Sequence, residues 1–184
     1  METPVRKQIE VVAALIFDGQ KLLVCQRRHN GAFPLKWEFP GGKVEAGESA
    51  TAALVRELKE ELDIVANAMT LVHQHTHAYP DGPDVSLKFF HVGDYQGEIK
   101  NLVFEQIAWS KLPELQSFDF LEGDLPLVRR LAHEQFSGGY RRRGLVVPDA
   151  GRQERREVPD GPGEAGRPAG DDQRHRDAGA GGGC

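Results

Sequence analysis

Cysteine is scarce in this sequence, and long apolar runs are absent. The chain of 184 residues has only two cysteines, Cys25 and Cys184, which excludes a disulfide framework and a paired-cysteine zinc motif. No stretch approaches the roughly 20 apolar residues of a membrane span, and the first residues lack the apolar core of a signal peptide. We therefore expect a cytoplasmic protein that does not contact a membrane.

Lysine and most large apolar residues are missing from the last quarter of the chain. Residues 137–184 contain nine Arg and 12 of the 21 glycines, but no Lys, Phe, Trp, Ile or Met. This composition offers too little apolar surface to form a core. We expect one domain over 1–136 and a disordered tail over 137–184. The tail is interpreted as a solvated linker, with an anionic-surface contact or a shifted reading frame as alternatives.

Residues 1–136 carry an excess of negative charge. The tail accounts for nine basic and eight acidic residues, which leaves 14 basic and 20 acidic residues in the domain, a net charge of −6. Stable nucleic-acid binding through a basic surface is therefore not expected. A small polyphosphate held through a metal ion is compatible with this charge. The sequence allows either a monomer or a homodimer.

Apolar periodicity predicts an α/β protein. Strands are expected at 8–17, 21–26, 64–79, 84–94 and 103–109, and helices at 49–62 and 125–134. Mixed strands with two amphipathic helices favour an α/β/α sandwich around a central mixed sheet.

The first helix places three carboxylates on one side. Glu57, Glu60 and Glu61 fall within roughly a quarter-turn arc, at about 100° per residue. Their mutual repulsion would be relieved by a divalent cation. A glycine-rich loop precedes the helix, and a glycine carbonyl such as that of Gly41 is also a hard oxygen ligand. These residues predict Mg²⁺, or Mn²⁺, and metal-assisted attack of water on a phosphoanhydride.

The segment 42–64 resembles the Nudix box, G-x5-E-x7-R-E-U-x-E-E-x-G-U, in which U is aliphatic. Eight of its nine constrained positions are filled by Gly42, Glu48, Arg56, Glu57, Leu58, Glu60, Glu61 and Ile64. Asp63 stands where the family has its second glycine, and Asp tolerates a left-handed backbone better than most residues. Over roughly 8–132 the chain looks most like the MutT-like branch of the family.

This resemblance implies hydrolysis of a nucleoside triphosphate to the monophosphate and pyrophosphate, with Mg²⁺. It implies metal ligation by the Gly41 carbonyl, Glu57, Glu60, Glu61 and Glu105. The general base would be Glu57 or Glu105, and a plain strand-edge role for Glu105 stays open.

The resemblance also implies supporting roles. Arg56 would orient the carboxylates by pairing with Glu48 or Glu57, and Gly42 and Glu48 are structural positions of the box. Lys43 would neutralise charge on the pyrophosphate in the transition state, unless it is only an exposed loop lysine.

Three further residues match positions of the family's nucleotide pocket. Arg28 and Phe39 would line it, although Phe39 could equally belong to the core. Asp124 matches the position where the branch's prototype reads oxidised guanine with an asparagine. An asparagine donates and accepts, whereas an ionised aspartate only accepts. The resemblance implies 8-oxo-dGTP as substrate, whereas the aspartate at this position is a departure that favours CTP or dCTP as the alternative, with a non-nucleotide diphosphate as another. Asp124 could instead only cap the last helix.

Other interpretations are weaker. His73, His75 and His77 alternate along a strand and could bind zinc, but no fourth ligand is evident and polar surface is the simpler interpretation. A binding module of the Nudix fold usually lacks the glutamates that are complete here. An isoprenoid diphosphate isomerase needs a catalytic cysteine, and Cys25 lies on a core strand.

Overall fold

The computed structural model describes residues 7–80 and 82–134. Seven strands and two α-helices follow one another in this part of the chain. They are β1 Gln8–Asp18, β2 Lys21–Gln26, β3 Trp37–Glu38, β4 Gly41–Lys43, α1 Ala50–Leu62, β5 Val65–Ala78, β6 Asp84–Gln96, β7 Gln106–Lys111 and α2 Leu125–Glu134. The prediction of a disordered tail over 137–184 lies outside the described residues.

The strands form the predicted mixed sheet. Its order is β3-β2-β1-β6-β5, with β4 also paired to β1 and β7 to β2. The pairing of β1 with β6 is parallel, and the other strand pairs are antiparallel. Strand β1 is therefore the centre on which both parts of the sheet depend.

The two helices cover opposite faces of β1. Its even-numbered residues from Val12 to Ile16 pack in one apolar cluster with α1 residues such as Leu54 and Leu58. Ala13 and Leu15, which point the other way along the pleat, pack in a second cluster with residues of α2. The predicted α/β/α sandwich is thus confirmed.

The predicted glycine loop differs in part from the structure. Residues Gly41–Lys43 form strand β4 rather than a loop, because glycine allows the backbone to lie very close to β1. Strand β7 begins at Gln106 and not at 103, since Asn101 and Phe104 exchange hydrogen bonds of 2.9 and 3.1 Å that close a turn. A 3-10 helix over Leu112–Ser117 was not predicted.

Helix α1 is capped by a side chain at its start and by a main-chain N–H at its end. Ser49 is the N-cap, and its hydroxyl accepts the N–H of Ala52 at 3.1 Å. Asp63 ends the helix in the left-handed conformation, with φ of 59° and ψ of 28°. Its carboxylate binds Lys100 at 2.8 Å and also Lys59, and Lys100 and Lys59 lower the pKa of Asp63 to about 2. The expected tolerance of Asp at the family's glycine position is therefore met, and the aspartate adds ion pairs that glycine lacks.

Within the described ranges, no helix combines the length and the apolar character that crossing a membrane requires.

The buried side of α1 gives a stability prediction. Leu58 is fully buried, so Leu58→Ala should lower the free energy of unfolding by about 2–5 kcal/mol, through lost apolar contacts and a residual cavity. Leu102 is 47% exposed, and the matched change Leu102→Ala should cost under about 0.5 kcal/mol. Urea unfolding monitored by circular dichroism measures both. Equal losses in the two variants would contradict the packing described.

Candidate active site

Strand β4 lies unusually close to β1 at Gly41. The φ of Gly41 is 142°, and a Cβ there would lie only 2.2 Å from the carbonyl oxygen of Val12. No residue with a side chain can occupy this position without moving the backbone. The N–H of Gly41 donates to Glu61 Oε2 at 2.8 Å, which joins β4 to the carboxylate-bearing side of α1.

Gly42 provides space for the carboxylate of Glu57. A Cβ on Gly42 would lie 2.3 to 2.7 Å from the three terminal atoms of Glu57. The glycine therefore lets this carboxylate lie directly against β4. The two successive glycines of β4 act on opposite sides, since Gly41 allows contact with β1 and Gly42 allows contact with α1.

Arg56 organises the acidic side chains around it. Its Nε and Nη2 bind the two carboxylate oxygens of Glu48 at 3.1 and 3.0 Å, and its Nη1 binds Glu57 Oε1 at 2.8 Å and Glu60 Oε2 at 3.5 Å. The Arg56 guanidinium lowers the pKa of Glu48, and Glu48 and Glu57 raise the pKa of Arg56. Nη2 also donates to the carbonyl of Lys43 at 3.0 Å. Arg56 thus ties α1 to both the loop and β4.

Glu61 is the most deeply placed of the three carboxylates. Burial raises its pKa to about 8, and the neighbouring carboxylates Glu38 and Glu57 add to the rise, against the lowering effect of the Gly41 N–H. Glu60 lies at the exposed end, with 59% of its side chain accessible. The stripe predicted from helical spacing therefore runs from a buried carboxyl to a solvated one.

The donor chemistry of this stripe suits a hard divalent cation. Its side chains are carboxylates, and burial, together with repulsion from Glu38 and Glu57, raises the pKa of Glu61; a cation would offset both effects. In an antiparallel pair of strands, every second residue hydrogen-bonds to the neighbouring strand. Here the Pro40 carbonyl accepts the Ala14 N–H of β1, so the next residue, Gly41, directs its carbonyl away from β1. Among the described residues no three His, Cys, Asp or Glu side chains converge as a ready metal cage. Mg²⁺ is commonly bound by one or two carboxylates together with substrate phosphates, and this stripe fits that mode.

Glu105 occupies a separate position at the end of β2. Its main-chain N–H donates to the carbonyl of Gln26 at 2.9 Å, and its carboxylate contacts His29 Nδ1 at 3.1 Å. The hydrogen bond from His29 lowers the pKa of Glu105, and Arg28 contributes to the same shift. Arg28 is exposed, so its interaction with Glu105 takes place at the surface.

Of the neighbouring Arg27 and Arg28, only Arg27 is partly buried. Its Nη1 binds Glu38 Oε2 at 2.7 Å. Burial raises the pKa of Glu38, and Arg27 opposes the rise. The sequence analysis did not predict this ion pair. Arg27 lies two residues after the buried Cys25 and therefore on the same side of the chain, and Glu38 of β3 pairs with Cys25 of β2. Lys43, by contrast, is exposed at the end of β4.

Asp124 is buried, with only 4% of its surface accessible. Burial raises its pKa to about 8, Glu38 adds to the rise, and the N–H of Phe39, which donates to the carboxyl, opposes it. Burial therefore favours the protonated form of Asp124, which presents both a donor and an acceptor, over the ionised form, which only accepts. The ring of Phe39 packs on Phe89 and Phe120 in the core, and its main chain is what reaches Asp124.

Two of the three histidines of β5, His75 and His77, contact the turn that precedes α2, and His73 contacts His75. His75 Nε2 lies 2.8 Å from the carbonyl of Gly123, and His75 Nδ1 lies 3.1 Å from His73 Nε2. His77 Nε2 lies 3.7 Å from Glu122 Oε2. Both nitrogens of His75 are thus engaged by other groups, and the row is organised towards the turn before Asp124.

Comparisons with known proteins agree with this architecture. A family model described as NUDIX domain matches residues 7–131. The chain is 38% identical over 122 residues to the CTP pyrophosphohydrolase of Escherichia coli K12, covering 66% of this chain and 90% of that protein. It is 34% identical over 131 residues to an 8-oxo-dGTP diphosphatase of Haemophilus influenzae, covering 70% of this chain and 95% of that protein.

A solved structure is similar as well. The solution structure of the E. coli ORF135 protein superimposes with a TM-score of 0.64 at 34% identity, covering 73% of this chain and 96% of that one. The family model spans most of the described domain and includes the glycines, Arg56 and the acidic stripe that build the site. This chain therefore belongs to the Nudix family of hydrolases.

Proposed function

We propose that this chain hydrolyses nucleoside triphosphates to the monophosphate and pyrophosphate with Mg²⁺. The observation that carries the proposal is the acidic stripe of α1, which Arg56 and the two glycines hold against β4. The buried Asp124 interacts electrostatically with Glu38, whose charge adds to the rise of the Asp124 pKa. The stripe fits a metal-bound polyphosphate, and Asp124 is a group able to read a base. Relatives named CTP pyrophosphohydrolase and 8-oxo-dGTP diphosphatase support the substrate class.

The proposed ligands are Glu57, Glu60 and Glu61 with the Gly41 carbonyl, joined by Glu105 when substrate is bound. A bound Mg²⁺ would supply charge neutralisation and Lewis-acid polarisation at the phosphoanhydride. Arg56 fixes the orientation of Glu57 and Glu60 before substrate arrives, which reduces the reorganisation that the reaction needs. Lys43, which is exposed at the end of β4, would neutralise the developing charge of the pyrophosphate.

Glu57 is the favoured general base. The hydrogen bond from His29 lowers the pKa of Glu105, and a carboxylate with a lowered pKa accepts a proton less readily. Glu57 has its position fixed by Arg56 at 2.8 Å and lies over Gly42. It would accept the proton of the attacking water as the bond from water oxygen to phosphorus forms and the phosphoanhydride breaks.

The protonated Asp124 favours 8-oxo-dGTP among guanine nucleotides. Guanine presents two acceptors, N7 and O6, on its major-groove edge, whereas oxidation at C8 turns N7 into an N–H donor beside O6. A neutral carboxyl, with one donor and one acceptor, complements the oxidised edge. Cytosine also offers an N4 donor beside the N3 acceptor. The similarity to a CTP pyrophosphohydrolase therefore makes cytidine nucleotides the second candidate.

The central test is pyrophosphate release across a nucleotide panel. Purified chain with Mg²⁺ should release pyrophosphate from 8-oxo-dGTP, dGTP, CTP or dCTP with a clear base preference, and Glu61→Gln should lower kcat/KM by about 100-fold or more, because a metal ligand is lost. Chelation by EDTA should stop turnover. Release of inorganic phosphate, or activity only on non-nucleotide diphosphates, would contradict the proposal.

Gly42→Ala tests the placement of Glu57. The three atoms nearest to the added Cβ all belong to the end of the Glu57 side chain and not to the backbone, so the fold should survive while the carboxylate is displaced from Arg56. We expect about a 100-fold loss of kcat/KM, the size that a misplacement of about 1 Å can cause, with an unchanged melting temperature. Gly31→Ala is the matched control, because a Cβ on Gly31 meets only an ordinary contact at 3.8 Å. An active Gly42→Ala variant would remove Glu57 from the mechanism.

The protonation of Asp124 gives a pH prediction. Burial raises the pKa of Asp124 to about 8. The proton, and with it the hydrogen-bond donor, is therefore present below that pH and is lost as the pH rises through it. The ratio of kcat/KM for 8-oxo-dGTP over dGTP should therefore fall between pH 7 and 9. Asp124→Asn cannot ionise, so its ratio should resemble that of the unmodified chain at pH 6.5 and stay flat. Parallel pH profiles in the two proteins would refute a titrating Asp124.

A further inference from the structure

We propose that His75 and Tyr79 are positioning residues for base selection: they hold the main chain of Gly123 and thereby fix the carboxyl of Asp124. The inference rests on the proposed function, because it concerns base recognition at the same site. It assigns a task to the end of β5, which neither the acidic stripe nor the box accounts for.

His75 captures the carbonyl of Gly123. The distance from Nε2 to this oxygen is 2.8 Å, and a carbonyl only accepts, so Nε2 carries the proton. The other nitrogen is engaged at 3.1 Å by His73 Nε2. The ring also stacks on Phe89, with centroids 5.7 Å apart and an interplanar angle of 15°. His75 is therefore held in one orientation from three directions.

Tyr79, the first residue after β5, also engages the main chain of Gly123. Burial raises the pKa of Tyr79, and a hydrogen bond with the Gly123 main chain opposes the rise, so His75 and Tyr79 both interact with the main chain of one glycine. A Cβ on Gly123 would lie 2.9 Å from Leu87 Cδ1 and 3.5 Å from the Tyr79 hydroxyl oxygen. The turn therefore lies so close to β5 and β6 that a side chain on Gly123 would displace either Leu87 or the turn.

The other end of the same turn is attached to β3. The N–H of Leu121 donates to the carbonyl of Trp37 at 2.9 Å, and the N–H of Asp124 donates to the carbonyl of Leu121 at 2.9 Å. The turn that delivers Asp124 is thus fixed at Leu121 by β3 and at Gly123 by β5. The Asp124 carboxyl in turn accepts the N–H of Phe39, a bond that requires the turn to stay in place.

The physical consequence is that substrate choice depends on groups that need not touch the base. Hydrogen-bond discrimination requires donor and acceptor to match within a few tenths of an ångström of ideal geometry. When the hydrogen bonds to Gly123 are lost, the carboxyl of Asp124 can shift relative to a base whose position is set by its bound phosphates. Discrimination should then fall, while the phosphate chemistry at α1 continues.

The test measures base discrimination and turnover separately. We would compare His75→Leu, His75→Gln and Tyr79→Phe, using the ratio of kcat/KM between the best and the poorest nucleotide of the panel. His75→Leu should lower this ratio about tenfold, and Tyr79→Phe about fivefold, as expected for loss of a single hydrogen bond. The kcat for the poorest nucleotide should stay within about twofold. His75→Gln, whose amide can still donate to the carbonyl, should recover part of the ratio.

Matched controls separate positioning from general loosening of the fold. His133→Leu removes a histidine from the exposed surface of α2, and Tyr95→Phe removes a hydroxyl from β6; both should leave the ratio unchanged. A double-mutant cycle decides the route of the effect, because in an Asp124→Ala background His75→Leu should cause no further loss of discrimination. An additive loss in that background would overturn the inference.

The two proposals can fail separately. If the chain hydrolyses nucleotides with base discrimination that His75→Leu and Tyr79→Phe leave intact, the positioning inference is wrong and the proposed function stands. If no nucleotide is hydrolysed, the proposed function fails, and calorimetric binding of 8-oxo-dGMP, dGMP and CMP to the same variants tests the inference. Base-selective binding that His75→Leu weakens would support it, and binding without base preference would overturn it.

Discussion

The close approach of β4 to both β1 and α1 is the constraint on which the site depends. Gly41 has no room for a Cβ on the β1 side, and Gly42 has none on the side of Glu57. With this spacing the main chain of β4 can donate to Glu61 and accept from Arg56. A carboxylate-bearing helix is thereby joined to the central strand of the sheet. Apolar packing of α1 alone would leave the orientation of its acidic side undetermined.

The site balances negative charge with few cations. Arg56 compensates Glu48, Glu57 and part of Glu60, while Arg27 compensates Glu38. Glu61 and Asp124 receive single main-chain N–H groups, and their pKa values rise as a result of burial without a full counter-charge. This arrangement leaves one side of α1 suited to a divalent cation and favours the neutral form of Asp124. Two carboxyls of similar pKa thus lie in different surroundings, because Glu61 lies against β4 and Asp124 lies in the buried turn before α2.

The turn before α2 connects the sheet to a loop with unusual backbone geometry. Phe33 and Leu35 have φ of 52° and 60° although neither is glycine, and such conformations cost roughly 1–2 kcal/mol each. Strain of this kind is common near functional sites. The ring of Phe33 lies 5.8 Å from that of Tyr79, so Tyr79 links this loop to Gly123. The residues that surround Asp124 therefore come from β5 and from the adjacent 27–36 loop and β3, all of which lie far from Asp124 along the chain.

The sequence by itself determined the elements whose periodicity is strong and the spacing of the box. Helix α1, its Ser49 cap, α2 and the first two strands follow from local patterns, because caps and apolar stripes depend on residues within one or two turns. The acidic stripe also follows, since helical geometry alone places Glu57, Glu60 and Glu61 together. Only the tertiary structure decided that Arg27 rather than Arg28 is partly buried, that β4 is a strand, and that the pKa of Asp124 is raised. Those outcomes depend on burial and on partners such as Glu38 and Phe39, which lie more than 80 residues from Asp124 and whose proximity no local pattern records.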